Sequence, residues 1–149
     1  MLNFKDFVNE NKPNNTPITD EINSSGIAKL EKTEERLFNK TYRMIKGITK
    51  DGLEFKVTPE IITTRKSSKK DVITTTYYEI VVEVEIENPN STSPMSKFRN
   101  ETVEFGKVND KKDNWNEQLK KKLKKMNDWI SKNFEGMRVS STEITRSRG

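Results

Sequence analysis

The 149-residue chain contains neither cysteine nor histidine. The first absence excludes disulfides, thiolate metal sites and cysteine nucleophiles; the second excludes His–Asp triads, imidazole acid–base chemistry and His-ligated zinc or haem. Apolar and aromatic side chains make up only 30% of the residues against 34% charged, and mean hydropathy is −0.94, so any core must be small. No apolar run nears the length of a membrane span, and the opening residues lack the basic, apolar and small-residue succession of a secretory signal. The expectation is one modest domain with no membrane partner. Carboxylate, Lys, Tyr and Ser chemistry remains, but no spacing of these residues forms a catalytic signature. A structural or binding protein is therefore expected, with no catalytic residues, no cofactor and no metal.

Charge, by contrast, is plentiful and uneven. The formal net charge is +5; residues 1–106 hold 16 bases and 17 acids, whereas residues 107–132 hold nine Lys and four acids. Within the second stretch Lys120, Lys121, Lys122, Lys124 and Lys125 surround Leu123. Such a run can contact phosphates without base selectivity, through counterion release. Lys120, Lys121, Lys124 and Lys125 are thus candidates for non-specific nucleic-acid contact, and the basic corner with Arg65, Lys66, Lys69 and Lys70 would extend the surface if the fold joins the two. The plainer alternative is the solvated face of an amphipathic helix. Zinc-finger spacing, an aromatic RNA-recognition signature and a Gly-rich phosphate loop are all absent.

Hydrophobic periods assign the elements. Residues 11–26 (NKPNNTPITDEINSSG) combine two Pro and four Asn with few apolar side chains, so residues 1–26 read as an extended arm. Residues 27–38 (IAKLEKTEERLF) fit a short helix through Ile27, Leu30, Glu34 and Leu37. Thr41–Thr49, a Lys50-Asp51-Gly52 corner and Leu53–Thr58 read as a hairpin, since Asp-Gly supplies the positive φ of a tight turn. Pro59 interrupts or ends its second strand, with Ile61–Thr64 continuing past a bulge.

Val72–Glu87 alternates throughout: Thr74, Thr76, Tyr78, Ile80, Val82, Val84 and Ile86 on one side, Tyr77, Glu79, Glu83, Glu85 and Glu87 on the other. The Glu row can be a hard-oxygen magnesium site or the wet side of an antiparallel sheet, and the alternation favours the latter. Phe98, Val103 and Phe105 mark a last strand. Asp110 or Asp113 can cap a helix from about Asn114 to Phe134, stopped at Gly136. Its Trp115, Leu119, Leu123, Met126, Ile130 and Phe134 share an arc of about 100° that excludes Lys120, Lys121, Lys124, Lys125 and Lys132. Trp115 and Trp129 can serve as a stacking platform, though their spacing suits core packing. Met137–Thr145 can add a short strand through Met137 and Val139, or run as an arm. The expected architecture is α+β: an antiparallel four-stranded meander packed by a C-terminal amphipathic helix, with an extended N-terminal arm (1–26), a domain at 27–145 and a flexible tail at 146–149.

The opening MLNFKDFVNE resembles the capsid-targeting leader of internal head proteins from T-even-like tailed bacteriophages. Those leaders are of similar length, carry an aromatic near position four and a Phe with an aliphatic neighbour, and end in the Glu at which a maturation protease cuts; Phe4, Phe7, Val8 and Glu10 fill those places here. Where the family prefers Leu or Ile two positions before that Glu, this chain has Val8. The resemblance covers ten residues. It implies a virion component, in the head, neck or tail, that docks on other virion proteins of a symmetric assembly through Phe4, Phe7 and Val8, and passes through the host cytoplasm during assembly. Two alternatives stand beside it: a basic nucleic-acid-associated protein, and a phage-encoded inhibitor of a host enzyme that presents the Glu79–Glu87 face as a mimic of phosphate charge.

Overall fold

A computed structural model describes residues 17–37, 39–67, 73–134, 137, 139, 145 and 146. The chain runs α1 (Ile18–Ser25), β1 (Ile27–Leu37), β2 (Lys40–Thr49), β3 (Glu54–Ser67), β4 (Thr74–Glu87), a single 3-10 turn at Pro94–Ser96, β5 (Phe98–Asn109), α2 (Trp115–Asn133) and a two-residue β6 (Thr145–Arg146). Strands β1 to β5 form an antiparallel meander in sequence order, and β6 joins through a parallel pairing with β3. The protein is α+β with its C-terminal helix packed on the sheet, as expected, but the meander has five long strands rather than four.

The extra strand is β1, where the residue spacing predicts a helix. Its Lys, Glu and Arg residues favour helix locally, but pairing with β2 over Ile27–Leu37 overrides that preference. The register sets Glu31 opposite Lys46 and Glu34 opposite Arg43, with Leu30 opposite Gly47, and cross-strand charge pairs of this kind stabilise a ladder modestly.

Alternation along β4 places the core. Ile80, Val82, Val84 and Ile86 are all buried, and together with Ile45, Phe55 and Val57 they meet Met126, Ile130 and Phe134 of α2. Phe55 and Phe134 stack at 5.8 Å. Beneath the other side of the Phe55 ring lies Gly47, its register partner, where a methyl group would overlap the ring. The apolar arc of α2 faces the sheet, and Lys120, Lys121, Lys124, Lys125 and Lys132 are exposed.

Three further expectations are corrected. Residues 18–25 of the arm form a helix, because Ile18 and Ile22 find burial in the sheet's core that local composition does not reveal. Neither Asp110 nor Asp113 caps α2; Asn114 occupies the N-cap position, and Asp110 instead accepts a hydrogen bond from Thr76 N–H at 3.0 Å while donating its own N–H to the Thr76 carbonyl. Arg146, assigned to the tail, pairs with Ile61, and the short added strand is Thr145–Arg146 rather than a strand at Met137 and Val139. The helix stop at Gly136 lies outside the described residues.

The Asp-Gly corner forms as expected, with Gly52 at φ +87° and Thr49 N–H bonded to the Leu53 carbonyl. Pro59 does not end β3, which runs unbroken to Ser67. The pairing with β2 does stop at Val57, two residues earlier, while the pairing with β4 continues from Phe55 to Ser67. Proline has no N–H to give a second neighbour. The β1–β2 ribbon therefore splays away from β3, and β6 lies against β3 at Glu60–Ile61 beside the gap.

Candidate interaction surfaces

Three surfaces and one anchor emerge from this arrangement. The anchor is α1. Its first N–H, on Ile18, donates to a Glu101 carboxylate oxygen at 3.0 Å, Glu21 pairs with Arg99, and Asn23 donates to Asn133 at 2.8 Å. Glu101 and Arg99 stand on β5 opposite Val84 and Ile86, on the helix-covered face. The helix thus bridges β5 and the end of α2. A carboxylate held at a helix N-terminus also answers the partial positive charge there. The expected docking residues Phe4, Phe7 and Val8 lie outside the described residues.

The first surface is the outward side of α2. Lys124 pairs with Asp128 at 2.9 Å, one turn on, while Lys120, Lys121 and Lys125 have no ion-pair partner among the described residues. Lys122 is half-buried, its stem running past Gly106 of β5. That glycine has φ +126° and lies at the register shift between Ile80 and Val81, where β5 bulges. The two tryptophans do not share this surface. Trp115 stacks on Tyr78 at 5.5 Å and 3° interplanar angle, and Trp129 meets Phe105 and Phe134 edge-on, so the proposed stacking platform faces the protein's own sheet.

Lys66 of the basic corner does not extend the lysine surface. Lys66 places its amine over the ring of Tyr77 at 5.5 Å, and Tyr77 stands on the face opposite Tyr78 and the helix. The sheet therefore separates Lys66 from Lys120, Lys121, Lys124 and Lys125. Lys69 and Lys70 lie outside the described residues.

The second surface is that opposite face. Glu79 faces Lys107 at 3.9 Å, Glu83 accepts from the Thr102 hydroxyl at 2.8 Å, and Glu87 accepts from Glu54 N–H at 3.2 Å. Lys56 turns to the Phe98 ring at 5.4 Å instead of to Glu85, its register partner. Among the described residues no group of three acidic side chains is arranged to hold a metal ion. Val81 is only 1% exposed although it sits in this row, between Glu60 and Glu104 on the flanking strands. An apolar residue breaking the Glu alternation was its sequence signal.

The third surface is a cleft of about 380 Å³ where the ribbon leaves β3, lined by Lys32, Glu34, Arg43, Met44, Pro59 and Val139 among others. Glu34 and Arg43 pair across its wall at 3.0 Å. Sequence reading missed it because it depends on where β2 and β3 part. Among the described residues no helix is long and apolar enough to cross a membrane. No protein-family model, curated protein or solved structure matches the chain.

Proposed function

We propose that the chain is a non-enzymatic structural or accessory protein of a tailed-bacteriophage particle that docks on other subunits through residues 1–16, with Phe4, Phe7 and Val8 as the contact side chains. The observation that supports this reading is the pinning of α1 by Glu101, Arg99 and Asn133. A segment that begins at Pro17 starts from a fixed point on the body, so binding of residues 1–16 to a neighbour holds the whole domain. The leader-like sequence of residues 1–10 supplies the kind of neighbour.

The test deletes residues 2–16 and retains Pro17 onward. Cutting to residue 26 would remove Ile18 and Ile22, each buried side chain contributing about 1.5–3 kcal/mol, and would confound docking with unfolding. Mass spectrometry of purified particles is expected to show the shortened chain lost from them while it remains folded by circular dichroism. Normal copy number of the folded, shortened chain would overturn the proposal.

A further inference from the structure

The two broad faces of the molecule carry opposite charge. Lys120, Lys121, Lys124, Lys125 and Lys132 look out from α2 against only Glu117 and Asp128. On the far side of the sheet, Glu79, Glu83, Glu85 and Glu87 run along β4 with no base between them, and together with Glu54 and Glu104 on β3 and β5 they outnumber Lys56, Lys66 and Lys107 on the same face. The lengths agree. Lys120 to Lys132 covers about 18 Å of helix, and Glu79 to Glu87 covers about 26 Å of strand. Each face is an extended row, one with an excess of bases and the other with an excess of acids.

We infer that copies of this chain stack on one another, the lysine face of α2 in one copy lying on the glutamate face of the sheet in the next. Charge complementarity selects this occupant. A second copy supplies a row of opposite net sign to both faces at once, whereas a nucleic acid would meet only the lysines and leave the acidic face uncovered. The contact joins two different surfaces, so it is heterologous and propagates as a ring or a filament. The inference does not depend on the virion reading, since it concerns residues 54–132 and needs neither residues 1–16 nor a phage partner.

Sedimentation of the full chain over a concentration series tests it, at low salt and at about 1 M salt, where the screening length shrinks to about 3 Å. Association is expected at low salt and dissociation at high salt. Two charge-reversed chains sharpen the result: one with Lys120→Glu, Lys121→Glu, Lys124→Glu and Lys125→Glu, the other with Glu83→Lys, Glu85→Lys and Glu104→Lys. Each alone should associate about a hundredfold more weakly, and mixing them in equal amounts should restore assembly, because each then offers the sign the other needs. Thermal melting of each variant establishes that it is folded; should the triple Glu variant not fold, Glu104→Lys alone, mixed with the lysine variant, takes its place. A wild-type chain that stays monomeric at every concentration overturns the inference, as does a folded pair that fails to restore assembly. Salt-sensitive binding of labelled duplex DNA to the lysine face, without self-association, would overturn it in favour of a nucleic-acid surface.

Discussion

Strand β3 holds its two antiparallel neighbours over unequal lengths. Its contact with β4 runs from Phe55 to Ser67, whereas its contact with β2 covers only Glu54 to Val57. On the β4 side an unbroken apolar row, Ile80 to Ile86, receives both helices. On the β2 side Ile45 and Gly47 meet the core, and beyond them the ribbon is held by β1–β2 ladder bonds and charge pairs such as Glu34–Arg43. The ladder with β2 stops just before Pro59, which has no N–H to give a second neighbour.

The contrast can be broken from the body side first. Phe134→Ala removes a fully buried ring stacked on Phe55 and is expected to cost about 3–5 kcal/mol in chemical denaturation; a loss below about 1 kcal/mol would mean that α2 does not hold the sheet. At the seam, Gly47→Ala forces a methyl group into the Phe55 ring. It should cost about 1–3 kcal/mol, and hydrogen exchange should show β1–β2 amides freed before those of β4. Uniform loss of protection would show that ribbon and body open together. Smallest of all, Glu34→Ala breaks an exposed pair on the ribbon and should change unfolding free energy by no more than about 1 kcal/mol. A larger loss would give the ribbon a structural weight that its burial denies.

The same contrast governs what could be read from the residues. The alternation of β4 and the apolar stripe of α2 are amphipathic patterns contained in single segments, and both elements form where the pattern places them. Strand β1 is different. Its charges suit a helix taken alone, and only the matched order of Glu31 and Glu34 with Lys46 and Arg43 points to a strand. Helix α1 is likewise short and polar; Ile18 and Ile22 gain their weight from Glu101, Arg99 and the core, all far along the chain. Of the candidate surfaces, the exposure of the lysine row was legible from its helical spacing. Its separation from Lys66 was not, because that depends on which face of a neighbouring strand each side chain takes.

The parallel seat of β6 beside Pro59 sets a temporal order on the molecule. During synthesis on the ribosome, Glu60 and Ile61 emerge long before Thr145 and Arg146, and the intervening chain must build β4, β5 and α2 before its far end can come back. That side of the middle strand is therefore a late-closing seam, left without its parallel neighbour until Thr145 and Arg146 have been made.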